Sequence, residues 1–426
     1  MKSSNYNIII NKDGHSYWFN TLTFNFFKLS KALSDKIYPL LNDLGELEKV
    51  SSSFMEKLKD RGFIVDDDHD ELEAIREANE RSIHRKDYFL VILPTLDCNY
   101  SCWYCIQTHT PSKMSQETME RVKKHIDHMI NVEKIESLTV DWFGGEPLLY
   151  IRDVIEPLSR YMSEVCRKAG IPFHNGATTN GFHLGSLEPK IGELGFRRFH
   201  ITLDGNRKHH DKVKYTDGCI STFDHVLRNI DKVLRQHEDV SLLLRINYTH
   251  ENMDESIVDE VSKHITPEVR NRVTIVPRRV WQESVNRSMA HLLTDTLIKF
   301  QNAGFIAEWW NFITDFTPCY ANRKYYNAIV HDGRVMKCTA TDDLHDPTKG
   351  GHLRADGTIE WKDGLESKFL TKSFENERCL SCKKLPICMG ECPRNFLRGQ
   401  GECKMLSIDA DFNESVANFI ERSLSH

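Results

Sequence analysis

The sequence predicts an α/β fold, with a small α+β segment in front of it and a cysteine-rich segment behind it. Three observations carry this expectation. From Tyr88 to about Trp310, β-branched runs alternate with stretches whose apolar residues recur at helical spacing, the rhythm of a parallel sheet covered by helices. Before residue 85, a hairpin signal precedes two helical stretches. After Pro318 stand seven of the twelve cysteines.

At 426 residues the chain exceeds one hydrophobic core, and the composition breaks divide it into 1–85, 86–310 and 311–426. A net charge of −6 argues against nucleic acid as the main partner, since phosphate binding needs a basic surface. No apolar run is long enough to span a bilayer, and Met1 to Tyr6 lacks the apolar centre of a signal peptide. A cytoplasmic protein without a membrane partner is therefore expected, and its cysteines read as ligands, not disulfides.

In the first segment, Asn7 to Ile10, the turn Asp13-Gly14, and Ser16 to Phe19 form the hairpin. Leu29, Leu33, Ile37, Leu40 and Leu41 make one helical stripe; Phe54 and Leu58 belong to the next, closed by Gly62 before Phe63-Ile64-Val65. Asp66 to Lys86 is a charged run and reads as a solvated linker helix.

The middle segment offers six strands: Tyr88 to Leu96, Ser137 to Phe143, Phe173 to Thr179, Phe199 to Leu203, Ser241 to Tyr248 and Arg272 to Val276. Between them Met119, Val122, Ile126 and Met129 recur at helical spacing, as do Val154, Leu158, Tyr161 and Val165, and Phe223, Val226, Ile230 and Val233. Cys166 beside the second stripe reads as an inert core thiol, and Cys219 is assigned nothing.

The first of these strands ends at Pro94 and Asp97 and runs into Cys98, Cys102 and Cys105, at CxxxCxxC spacing. Three thiolates do not complete a zinc site unless a distant ligand such as His109 joins them. They do hold three irons of a four-iron four-sulfur cube and leave the fourth iron open. With aromatic Tyr104 before the third cysteine, the segment resembles the cluster motif of radical S-adenosylmethionine (radical SAM) enzymes.

That resemblance implies a partial (β/α)6 TIM barrel, and an open iron that chelates S-adenosyl-L-methionine, whose reductive cleavage gives a 5'-deoxyadenosyl radical. It also implies roles for residues at the later strand ends. Gly144, Gly145 and Glu146 of Trp142-Phe143-Gly144-Gly145-Glu146-Pro147 match the family segment that binds the methionyl amino group. Thr179 and Asn180 after the third strand, and Thr202 and Asp204 around the end of the fourth, match segments lining the cofactor. Arg245 and Asn247 share one strand face, and Arg245 needs a carboxylate: the cofactor's own, or a structural partner such as Asp204 or Glu146.

The tail spacing is Cys319-x13-Gly333-x4-Cys338, then Cys379-x2-Cys382-x5-Cys388-x3-Cys392-x10-Cys403, with hairpin turns at Asp332-Gly333 and Asp356-Gly357. CxxC pairs also serve structural zinc. The arrangement resembles the SPASM extension of radical SAM enzymes, which holds two auxiliary four-iron four-sulfur clusters, three clusters in all. Carried over, Cys379, Cys382, Cys388 and Cys403 ligate one, and Cys319, Cys338 and Cys392 the other. The family's fullest pattern has an eighth cysteine that this chain lacks, so Tyr325, Tyr326 or Asp332 completes that site, or an iron stays open to a substrate thiolate.

Residues 1–85 resemble the winged-helix-like PqqD recognition element, which implies capture of a leader peptide by strand addition. Together these resemblances imply a cytoplasmic oxidoreductase. It would take an electron from a flavodoxin or ferredoxin and oxidise a ribosomally made (RiPP) precursor peptide to a thioether or carbon–carbon cross-link. A sulfatase-maturating (formylglycine-generating) enzyme, a small-molecule dehydrogenase, and an iron–sulfur electron carrier or scaffold are the competing readings.

Overall fold

The computed structural model describes residues 1–284, 286–307, 319–399, 401, 403, 405 and 412–425. Their contacts form two compact units, one from 1–83, Cys319 and the described part of 371–425, the other from 84–307 and 320–370. The sequence divides the chain at 85 and 310; the second of these boundaries lies outside the described residues.

The larger unit is built on six parallel strands in consecutive order: Asp87–Ile92, Ser137–Trp142, Phe173–Thr179, Phe196–Leu203, Ser241–Tyr248 and Val273–Arg279. The short strand Ile306–Ala307 continues the sheet at one end. The anticipated helical stripes lie on Gln116–Asn131, Glu156–Ala169 and Thr222–Gln236, except that Val154 stands on the preceding turn Ile151–Ile155; Val122, Ile126, Leu158, Phe223, Val226 and Ile230 are fully buried. Ser115 and Ser221 cap two of these helices, and Gly170 ends the third in a left-handed conformation. The first strand stops at Ile92, four residues before the expected Leu96, because the chain turns through Pro94 towards the cysteines. Cys166 is fully buried, as a core thiol should be.

At the other end, the hairpin turning at Asp332-Gly333 joins this same sheet. Tyr326–Ile329 runs parallel to Asp87–Ile92, and Arg334–Met336 returns antiparallel, followed by Gly351–Leu353 and Ile359–Trp361. Both predicted tail turns form, with Gly333 and Gly357 at positive φ. Gly357 also places its carbonyl on His125.

His125 is fully buried, with Nε2 2.7 Å from the Tyr88 hydroxyl and Nδ1 2.7 Å from the Gly357 oxygen. Burial pulls its pKa down to about 4. The folded imidazole is therefore neutral where the unfolded one, at its ordinary value near 6.5, takes a proton, so stability falls as pH drops from 6.5 towards 4. The full loss is roughly 3 kcal/mol. Melting curves of wild type and His125→Gln at pH 7 and pH 5 are expected to show a smaller acid shift in the variant. Equal shifts would place the acid sensitivity elsewhere.

In the smaller unit, Asn7–Lys12, His15–Asn20 and Phe26–Ser30 form an antiparallel sheet, with Asp13 and Gly14 at positive φ in the hairpin turn. Leu29 lies on the third strand and not on a helix, and Leu33 is exposed; Ile37 and Leu41 alone from that stripe are fully buried. The short strand Ile64–Val65 pairs with Lys2–Ser3. One set of sheet side chains packs with Leu47, Met55, Leu58 and Phe63, the other with Val416, Ala417 and Ile420 of helix Phe412–Ser425. Helix Glu71–His84 is not the solvated linker that its charge implies. Its Ile75 packs with Tyr6, Phe374, Leu385 and Met389, and its buried Glu71 accepts hydrogen bonds from Ser4 Oγ and Asn5 N.

Candidate active site

The loop that leaves the first parallel strand opens onto a cavity of about 570 Å³ in the larger unit. Cys98, Cys102, Cys105, Gly144, Gly145 and Arg245 are all on its wall. Six segments distant in sequence meet there because parallel strands deliver their carboxyl ends to one face of the sheet.

The two glycines are required by close backbone approach. A Cβ on Gly144 would lie 2.2 Å from the Thr95 oxygen, and one on Gly145 would lie 2.1 Å from the Asp97 oxygen. Gly145 and Glu146 donate backbone hydrogen bonds to those two carbonyls, at 3.3 and 2.8 Å. Their absent side chains thus serve the fit of this segment against the cysteine loop, a reason the sequence alone did not reveal.

Tyr104, Thr179, Asn180, Thr202 and Asn247 also line the cavity. Asn180 Nδ2 donates to Asn99 Oδ1 at 2.8 Å, which ties the third strand's end to the cysteine loop. Glu146 and Asp204 behave differently, and neither is on the cavity wall. Glu146 is fully buried and accepts from Thr179 Oγ1 at 2.6 Å, Asn180 N at 2.8 Å and Leu148 N at 3.0 Å. Burial pushes its carboxyl up to about 7, against the pull of those three donors. In this arrangement its oxygens hold the wall together.

Asp204 pairs with Lys214, a residue that the sequence reading missed. Burial alone would raise the Asp204 carboxyl, but the Lys214 ammonium overrides it and holds the group below the usual range. Arg245, by contrast, pairs with no carboxylate among the described residues. Its Nε donates to Asn247 Oδ1 at 2.6 Å, and burial pulls the guanidinium down. Glu146 gives it no ion pair among the described residues, while Asp204 acts on it through its charge without a direct ion pair.

Three thiols are the donor set that a four-iron four-sulfur cube with one open iron takes. Among the described residues, no three His, Cys, Asp or Glu side chains converge as ligands of one metal ion would. A cube takes one thiolate at each of three irons, so its cysteines surround a volume. His109 Nε2 lies 3.4 Å from Cys105 Sγ. The Tyr100 N–H points to Cys98 Sγ at 3.4 Å, the kind of bond that tunes cluster sulfurs, and burial pushes the metal-free Cys98 thiol up to about 12.

The Radical SAM superfamily model matches residues 92–261. The chain carries a radical SAM domain. Its matched segment spans all three cysteines, Gly144-Gly145-Glu146 and Arg245. Such a domain works with S-adenosylmethionine and a four-iron four-sulfur cluster, and its chemistry is enzymatic. The radical SAM cyclopropyl synthase TigE of Paramaledivibacter caminithermalis is 23% identical over 422 residues, covering 86% of this chain and 81% of the relative. The GTP 3',8-cyclase of Clostridium perfringens is 31% identical over 166 residues, 37% of this chain and 45% of the cyclase.

Among solved structures, anSMEcpe with bound AdoMet matches with a TM-score of 0.56 and 19% identity, over 79% of this chain and 97% of that one. Streptococcus suis SuiB bound to precursor peptide SuiA matches with 0.51 and 14%, over 97% and 99%. Both likenesses establish the shared fold. No helix among the described residues is long and apolar enough to cross a membrane.

Of the tail cysteines, Cys379, Cys382 and Cys388 lie in or beside short helical turns of the smaller unit, where the Lys384 N–H points to Cys382 Sγ at 3.4 Å. Cys392 caps Pro393–Leu397, and Cys319 and Cys403 are half-buried in the same unit. Cys338 is half-buried in the larger unit. Two of the three side chains considered as an added ligand have protein partners: Tyr325 donates to Glu133 at 3.0 Å, and Asp332 pairs with Arg334 at 2.7 Å. Tyr326 is buried and forms part of the cavity lining.

Proposed function

We propose that this chain is a radical SAM oxidoreductase that abstracts hydrogen from a ribosomally made precursor peptide and closes a thioether or carbon–carbon cross-link. The observation that carries the reading is the shared cavity of three thiols, a glycine cradle and a guanidinium that forms no ion pair with a carboxylate among the described residues. Cys98, Cys102 and Cys105 would hold the cluster, and Arg245 the carboxylate of S-adenosylmethionine. Tyr104, Asn180, Thr202 and Asn247 would line the rest of the cofactor. When bound, these groups supply a 5'-deoxyadenosyl radical; the chain's own residues orient its source and keep water from it.

The peptide substrate is supported by the smaller unit. Phe26–Ser30 is an edge strand whose outer side pairs with no strand among the described residues, which suits strand addition by an extended leader. The tail cysteines would ligate two auxiliary clusters in a SPASM-type arrangement, and a flavodoxin or ferredoxin would deliver the electron. The activity named for the TigE relative keeps carbon–carbon closure among the products.

The test is the mass of a short peptide encoded beside the gene, after anaerobic co-expression with the wild type or with Cys105→Ala. Loss of two hydrogens with the wild type alone is expected. An unchanged peptide, with 5'-deoxyadenosine still formed by the purified protein, would point to another substrate and make residues 1–85 a structural cap.

A further inference from the structure

Residues 93–115 contain no helix or strand, so the shape of the thiol loop depends on its tethers. Within the loop, Cys105 N donates to Cys102 O at 3.0 Å. From outside, Gln282 Nε2 donates to Tyr104 O at 2.9 Å. The tether that carries charge is at the Tyr104 side chain, between the second and third thiols. Its hydroxyl donates to Asp204 Oδ1 at 2.6 Å and receives Lys214 Nζ at 3.2 Å.

Asp204 and Lys214 form an ion pair whose side chains are 1% and 4% exposed. Both are fastened to the barrel. Asp204 follows the fourth strand and accepts from Asn247 Nδ2 of the fifth at 3.4 Å. Lys214 ends helix Arg207–Val213, its N–H donating to His210 O at 2.8 Å and its carbonyl accepting from the Thr222 hydroxyl. Stability alone does not call for such a pair, because well-packed apolar residues in place of a buried ion pair are often as stable or more so. What an apolar pair lacks is a charged, oriented acceptor for the Tyr104 hydroxyl.

We propose that Lys214 is a positioning residue for the thiol loop: it orients Asp204, and through the Tyr104 hydroxyl it holds Cys102 and Cys105 in the geometry that the cluster and S-adenosylmethionine require. This rests on the reading of those thiols as cluster ligands. Lys214 lies on the cavity wall with Tyr104, so the tether acts at the site itself.

The test compares the reconstituted wild type with Lys214→Met, Lys214→Arg and Tyr104→Phe, which removes the hydroxyl without unpairing a charge. The readouts are the melting temperature and the S-adenosylmethionine concentration at half-change of the reduced cluster's EPR spectrum. Only a cluster with an open iron gives that ligand-dependent change. Lys214→Met and Tyr104→Phe are expected to raise this concentration about tenfold, as losses of supporting contacts around metal ligands do. Lys214→Arg is expected to stay near the wild type. A purely structural pair would instead lower the melting temperature of Lys214→Met, leave the spectral response of the folded protein unchanged, and make Tyr104→Phe silent; that result overturns the proposal. Should Lys214→Met fail to fold, a silent Tyr104→Phe overturns it alone. A wild type whose spectrum ignores S-adenosylmethionine would overturn the underlying reading, and the proposal with it.

Discussion

Replacing Cys102 by alanine is expected to remove about four irons per chain and to lower 5'-deoxyadenosine formation by more than about a thousandfold, while the protein stays folded. The physical basis is the division of labour around the loop. The sheet is held by its own ladder and by buried helices such as Gln116–Asn131, whereas Cys102 sits half-buried on a segment without regular structure. On the proposed reading, removing its thiol would take away one of three attachments of the cube and no part of the core. Iron analysis and chromatographic measurement of the nucleoside under anaerobic reduction check both halves. A full iron complement with undiminished cleavage would show that Cys102 is not a ligand.

Arg245→Ala is expected to weaken S-adenosylmethionine binding by about a hundredfold, the scale of losing a charge-assisted pair in a secluded site. The same change should leave the ligand-free protein as stable as before, or more so. Arg245 has one side-chain hydrogen bond, to Asn247, and no carboxylate among the described residues, so its desolvation opposes folding. Arg245→Lys should not restore binding, because an ammonium lacks the paired N–H groups that match a carboxylate. Anaerobic titration calorimetry and thermal melts separate the effects. Unchanged affinity with a lowered melting temperature would make Arg245 a structural cation.

Much of the site was legible because its chemistry is local in the chain. The spacing of Cys98, Cys102 and Cys105, and the placement of Gly144-Gly145 at the end of the second strand, are properties of short segments. So is the strand rhythm, which placed all six parallel strands, with Phe173–Thr179 and Ser241–Tyr248 matching at both ends. Leu29 was misplaced because a single apolar residue satisfies a helical stripe and a strand equally well. Helix Glu71–His84 was misread because its buried face is narrow: Ile75 and a hydrogen-bonded Glu71 are hidden within a charged run.

By itself, then, the sequence determined the elements, the parallel α/β rhythm and the thiol spacing, since periodicity and motif spacing act over a few residues. The tertiary structure decided what the charged groups do. Glu146 turns into the wall because Thr179 and Asn180, more than thirty positions away, offer it donors. Asp204 is taken by Lys214 and by Tyr104, a hundred positions earlier, while Arg245 is left with Asn247. A buried charge is defined by its partners, and here only the folded parallel sheet brings those partners within reach.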